Sequence, residues 1–349
     1  MVPVVSLLTL IATWSSEPAT VVLVVVGALL VGSVLAAVHH AEVVAHRVGE
    51  PFGSLVLAVA VTVIEVALIV TLMVSGGSET ATLARDTVFA AVMITCNGIV
   101  GLSLLVGALR QGVASFNAEG TATALATVST LATLSLVLPR FTTSSPGPVF
   151  SPAQLVFAAV ASIGLYGLFV FVQTVRHRDY FLPVGADPAG EEHAAPPSDR
   201  QAAVSLGLLV IALVAVVGLA KIESPPIEDA VDAIGAPQSA VGVVIALLVL
   251  APETLAALRN ARRDRVQISF NLAFGSAMAS IGLTIPAIAV ASIWLEGPLE
   301  LGLGATQMVL LAITVVVGGL TVLPGRATLQ EGGVHLALVA AFLFLAVNP

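Results

Sequence analysis

Apolar stretches of about 20 residues recur from position 18 to position 347, separated by short polar breaks, and each is long enough for a helix to cross a bilayer. The pattern predicts five spans in the first half, over 18–38, 52–75, 86–109, 121–139 and 152–172. It predicts five more in the second half, over 203–221, 237–258, 268–293, 302–323 and 332–347. Residues 1–14 (MVPVVSLLTLIATW) are apolar too, but short for a crossing, which needs roughly 17–25 residues. They lack a basic start and an A-x-A cleavage site, so 1–17 reads as a short N-terminal membrane segment rather than a cleaved signal.

The stretch 176–202 is polar and rich in Pro, Gly and Ala, which marks a linker between two five-helix units at 18–175 and 203–349. Its Glu191-Glu192 pair reads first as solvated linker, with cation sensing as the alternative. Five is an odd number, so the second unit enters the membrane from the opposite side. The fold class is therefore an all-α polytopic membrane protein with two inverted five-helix repeats, and the binding site of such a fold lies where the repeats meet, near mid-membrane.

Composition agrees: 58% of residues are hydrophobic, 10% are charged, and the mean hydropathy is +1.06. That excludes an ordinary soluble domain, where charged residues approach about a quarter. The net charge of −8 matters less than where the cations lie. Loops after the odd-numbered spans carry Arg47; Arg110; Arg176, Arg178 and Arg200; Arg259, Arg262, Arg263 and Arg265; and Arg326. The opposite loops carry only Arg85, Arg140 and Lys221. The positive-inside rule puts the first set in the cytoplasm. Arg259 to Arg265 is then a topology signal, with contact to anionic lipid as the alternative. A single cysteine, Cys96, excludes an intramolecular disulfide, and no Cys/His spacing suits zinc.

Two glutamates break the apolar pattern. Glu65 lies in PFGSLVLAVAVTVIEVALIVTLMV (51–74) and Glu253 in PQSAVGVVIALLVLAPETLAAL (237–258), the second span of each unit. Pro51 opens its span fourteen residues before Glu65, and Pro237 sixteen before Glu253, so the two acids approach mid-depth from opposite faces. An intramembrane carboxylate costs several kcal/mol and marks an ion or proton path by default; the plainer reading is a carboxyl bonded to a neighbouring helix. A carboxyl taken out of water favours its protonated form. A cation bound between two such groups must displace their protons, and protons must expel the cation, which is the minimal chemistry of a proton/cation antiporter.

Hard cations need more oxygen than two glutamates hold, since Ca²⁺ takes about six to eight ligands. Pro252 lacks an N–H and frees carbonyls around Leu248 and Val249. Thr62 lies one turn before Glu65. The next spans add Asn97, Asn271 and Ser276. Thr62 and Ser276 read equally well as hydroxyls bonded to their own backbone, and Gly275-Ser276 as a small-residue helix contact. His39, His40, Glu42 and His46 fall at the cytoplasmic end of the first span, interfacial or a proton antechamber.

These residues carry a resemblance. HHAEVVAHRVGEPFGSLVLAVAVTVIEVALI (39–69) with RDTVFAAVMITCNGIVGLSLLVGALR (85–110) resembles the first α-repeat of the calcium/cation antiporter superfamily, and LLVLAPETLAALRNARRDRVQISFNLAFGSAMASIGLTIP (247–286) resembles its second. The similarity runs over most of 18–347 and is nearest to the bacterial ChaA-type proton antiporters. It implies ten core helices and exchange of cytoplasmic Ca²⁺, Na⁺ or K⁺ for external protons across a bacterial inner membrane. The family's repeat acids match Glu65 and Glu253, which would hold the metal cation, and its Gly-Ser motif matches Gly275-Ser276, with Pro286 at the expected distance.

The chain departs from the pattern at Val61-Thr62 and Val249-Leu250, where many relatives carry Gly-Asn, and at Ala279, where a glutamine is common. Such a ligand set suits Na⁺ or K⁺ as readily as Ca²⁺. The expected partners are membrane lipids, the transported cations and protons, with no cofactor and no nucleic acid; the pattern does not fix an oligomeric state. A cation channel, or a non-transporting membrane protein with structural buried carboxylates, is the alternative. Neither H-E-x-x-H nor G-x-S-x-G occurs, so no enzyme chemistry is visible.

Overall fold

Backbone amides inside a bilayer have no water to bond, so apolar runs of this length close their hydrogen bonds within helices. The chain does so in its computed structural model, which describes residues 1–14, 18–49, 52–76, 80–184, 197–233, 235, 237, 239–294 and 297–349. A short helix, α1 (Val2–Thr13), precedes α2 (Thr20–Val48) and α3 (Phe52–Gly76). The third span consists of α4 (Leu83–Met93) and α5 (Val100–Gln111), joined by π-helical turns over Ile94–Ile99. The fourth is α6 (Ala118–Ala132), which continues through π turns at Thr133–Val137 to Arg140. The fifth, α7 (Pro152–Phe171), ends in π turns at Val172–Arg176. The second half contains α8 (Asp199–Ala233), α9 (Ser239–Arg262), α10 (Val266–Ala291), α11 (Ala305–Val322) and α12 (Leu329–Val347).

Among the described residues, ten stretches are long and apolar enough to cross a membrane. The protein is a multi-pass membrane protein built from ten helices in two inverted repeats. Helix α1 has 12 residues, about 18 Å of helix against a hydrocarbon core of about 30 Å, and packs on α2 and α8. Pro51 and the Glu191-Glu192 pair lie outside the described residues.

The polar loops fall on two faces. Ala114–Ser115 pairs with Arg326–Ala327 as a two-residue antiparallel ladder, and Arg110 Nη1 donates to the Arg262 carbonyl at 2.7 Å. At the other face Val149 bridges Glu300, and Arg85 Nη1 donates to the Gly302 carbonyl at 3.3 Å. Loops that the arginine count assigned to one side are thus in contact with loops of that same side.

The sidedness is testable with cysteine. Gly112 and Gly147 sit at φ 81° and 79°, where a side chain is strained, so the exposed neighbours Gln111 and Thr143 are the better sites. In a Cys96→Ala background, Thr143→Cys is expected to react with an impermeant thiol reagent on intact cells, and Gln111→Cys only after permeabilisation. The reverse labelling would invert the topology.

Two spans form the interior. The most apolar stretch of Leu83–Gln111 is 89% buried and that of Val266–Ala291 is 61% buried, against 22% for Pro152–Arg176, so α4, α5 and α10 are central and α7 is peripheral, with only one face turned inward. Helix α10 touches α3, α4, α5, α6, α7 and α9. Two sequence boundaries are corrected: the first span continues past 38 to Val48, and the sixth continues past 221 through Pro225 and Pro226 to Ala233. Glu223 is therefore a further buried acid inside a span, 8% exposed, with its carboxyl over Gly27 of α2 and Oε1 unpaired.

Candidate functional site

Glu65 of α3 and Glu253 of α9 line one cavity of about 210 Å³. Helix α3 runs away from the basic face and α9 toward it, so the inverted repeats bring the two acids together at mid-depth. Glu65 is 4% exposed, and its Oε1 accepts a hydrogen bond from Ser280 Oγ at 2.6 Å. Glu253 Oε2 is buried with no partner. A buried oxygen without a donor is costly unless something else occupies the space beside it. The acids are also within electrostatic reach of each other, and Glu253 within reach of Glu42 on α2.

The wall of the cavity accounts for most of the sequence-derived residues. Thr62, Asn271 and Ser276 all line it. Asn271 is held at both ends, Nδ2 donating to the Phe181 carbonyl at 2.6 Å and Oδ1 accepting from Gln267 at 2.9 Å. Leu250 and Ala279 are on the wall as well and add no oxygen. Helix α9 runs unbroken through Pro252, whose missing N–H leaves the Leu248 carbonyl without its usual helical donor. His40 lies away from the cavity, 3.4 Å from Ser205 of α8.

Asn97 is the exception and corrects the expected ligand set. It is not on the cavity wall. It sits in the π turns of the third span, where Nδ2 donates to Thr314 Oγ1 at 2.9 Å and Oδ1 faces His335 Nδ1 at 3.1 Å. Thr314 Oγ1 donates its own hydrogen bond to the Leu310 carbonyl, and His335 Nε2 lies 3.1 Å from Thr321 Oγ1. Since an amide oxygen only accepts, a neutral imidazole protonated at Nδ1 satisfies every member of this network. Asn97→Ala is expected to lower the melting temperature of the purified protein, through a loss of about 1–3 kcal/mol for an unpaired buried group, with cation affinity unchanged. A fall in affinity at constant melting temperature would restore Asn97 as a ligand.

Among the described residues, no three His, Cys, Asp or Glu side chains cluster as a metal site. The cavity thus offers two carboxyls and a set of neutral oxygens. Two blocks of the chain, 18–175 and 204–348, match the model of the family described as sodium/calcium exchanger protein.

The chain belongs to that exchanger family. Over 337 residues this exchanger is 47% identical to the ionic transporter y4hA of Sinorhizobium fredii, covering 95% of its own length and 90% of the relative's. It is 35% identical to the sodium-potassium/proton antiporter ChaA of Escherichia coli over 346 residues, 98% of this chain and 93% of the other. Its fold is that of native YfkE, with a TM-score of 0.74 at 16% identity over 100% and 99% of the two chains. The relatives are transporters, not enzymes.

Sequence reasoning missed three residues of this exchanger. Ser280 is one turn beyond Ser276 on the same face of α10, a spacing that could have found it. His335 is a lone ionisable group in an apolar span, 1% exposed, a signal of the kind that singled out the glutamates. Gln173, on the cavity wall, sits in the last turns of a span, where nothing in the pattern distinguishes it from a boundary residue.

Proposed function

We propose that this exchanger is a secondary antiporter of a bacterial cytoplasmic membrane, which moves cytoplasmic Na⁺, K⁺ or Ca²⁺ outward in exchange for external protons at Glu65 and Glu253. The observation that carries the proposal is the shared cavity: two buried carboxyls from inverted helices, one of them with an unpaired oxygen. In the antiport cycle, a cation between the carboxyls requires both ionised, and protons that neutralise them remove what holds the cation. Ser280, donating to Glu65, keeps that carboxylate oriented when it is charged.

The lining also supports a direction for the state described. The cavity reaches Leu57 of α3, Gln173 near the end of α7 and Ile268 of α10, each within two turns of a helix end on the arginine-rich face. With that face cytoplasmic, the site is reached from inside, where the cation loads.

Proteoliposomes loaded with a pH-sensitive dye test the reading. Addition of Na⁺, K⁺ or Ca²⁺ on one side is expected to drive protons the other way, and collapse of the pH gradient to remove the driving force. Cation flux that is indifferent to the proton gradient would mark a channel, and no flux with any of the three would overturn transport at this site.

A further inference from the structure

One side of the cavity is supplied by α7, a helix outside both glutamate-bearing spans and their immediate successors. It contributes Tyr166, Phe169, Val170 and, in its terminal π turns, Gln173 to the wall. We infer that Gln173 and Tyr166 complete the oxygen shell of the transported cation and set which cation the site prefers. This inference rests on the antiport reading above.

Counting available oxygens leads there. The Ser280 hydroxyl is committed to Glu65, and the Asn271 amide is tied to Phe181 and Gln267. Val249, Leu250 and Ala279 supply apolar wall. The two carboxylates, Thr62 and Ser276 remain, which even with every oxygen engaged only just reaches the lower end of the about six to eight ligands that Ca²⁺ takes. Gln173 and Tyr166 have no hydrogen bond to any described residue, so their oxygens are uncommitted.

Helix packing sets their depth. Helices α7 and α10 run antiparallel and meet where Tyr166 lies against Gly282; a Cβ on that glycine would come within 2.7 Å of Tyr166 Cβ. Two turns along each helix bring Gln173 level with Gly275. A Cβ on Gly275 would meet no atom within 4 Å, so open cavity lies in front of Gln173. Gln173 also lies in the π turns Val172–Arg176, and such widened turns are frequent where a helix serves a site. An amide oxygen and a phenol oxygen are neutral ligands. They add coordination without charge, and charge count is what separates a monovalent from a divalent site.

The test compares apparent KM values for Na⁺, K⁺ and Ca²⁺ in proteoliposomes, with direct cation binding to purified protein measured alongside. Gln173→Leu is expected to weaken the preferred cation about tenfold, the loss of one polar contact to a charged ligand, and to change the ratios among the three cations. Gln173→Glu, which adds a carboxylate, is expected to shift the ratios toward Ca²⁺. Tyr166→Phe removes one oxygen alone and is expected to change the same ratios without changing the melting temperature. If Gln173→Leu does not fold, Gln173→Asn, shorter by one methylene, decides. Unchanged ratios in the folded Gln173 variants would overturn the inference while leaving antiport standing. Wild-type protein that binds cations but moves no protons would sink antiport, with the Gln173 ratios still read from binding.

Discussion

Glu253→Gln is expected to reduce proton-coupled cation exchange to background while the protein still folds, and Glu65→Gln to do the same. Glutamine keeps the size and one carbonyl oxygen but carries neither charge nor a proton to exchange. A carboxylate about 4 Å from a monovalent cation contributes about 4 kcal/mol at an effective dielectric near 20. Its loss therefore weakens binding about a thousandfold. The Glu253 substitution is the cleaner of the two, because Oε2 has no partner to lose. At Glu65 the amide can also present its NH₂ group to Ser280, so part of any effect there is a broken hydrogen bond. Glu119, exposed at the start of α6, is the control: Glu119→Gln is expected to retain full flux. The measurement is dye-reported proton flux together with gel-filtration profiles of each variant. Near-normal flux in a folded Glu253→Gln would end the two-carboxylate mechanism.

Acidification is expected to raise the apparent Kd for the cation without changing the number of sites. A proton and a cation that compete for one carboxyl lose about tenfold in apparent affinity per pH unit below that group's pKa, about 1.4 kcal/mol each time. The sign is set by the state that holds the cation: the ionised carboxyls bind it, so binding is strongest at high pH and fades as pH falls. Two carboxyls line the one cavity, so more than one proton can compete with each cation and the dependence can exceed one proton per cation. Titrating purified protein with Na⁺ or Ca²⁺ between about pH 6 and 9 measures this. An affinity flat across that range would mean that protons do not compete at the site, and antiport by competition would fail.

Much of the architecture is written in the chain. Ten apolar runs, their division into two sets of five, and the arginine asymmetry reflect transfer energetics that each segment obeys on its own. The depth of Glu65 and Glu253 has the same origin, because position within a span is position within the bilayer. Local signals that compete are harder to read. Lys221, Glu223 and the two prolines look like the end of the sixth span, yet α8 continues to Ala233. Helices can carry such residues when neighbours cover them, as Gly27 of α2 does for Glu223.

The side-chain environment of the glutamates is a different matter. Asn97 and Ser280 are both polar residues on central helices, and by sequence Asn97 is the better ligand. Tertiary structure reverses the order. A π turn adds a residue and rotates the rest of the helix by about 100°, which takes Asn97 away from the cavity and toward Thr314 and His335. The register between antiparallel helices, fixed at contacts such as Tyr166 on Gly282, brings Gln173 to the site across roughly a hundred residues of sequence. By itself the sequence determined which segments are long and apolar enough to cross a membrane and which of them hold the acids, since each depends on one segment and its solvent. Only the packed structure decided which oxygens share the cavity with those acids, because that depends on helix rotation and register, which are set by contacts between segments.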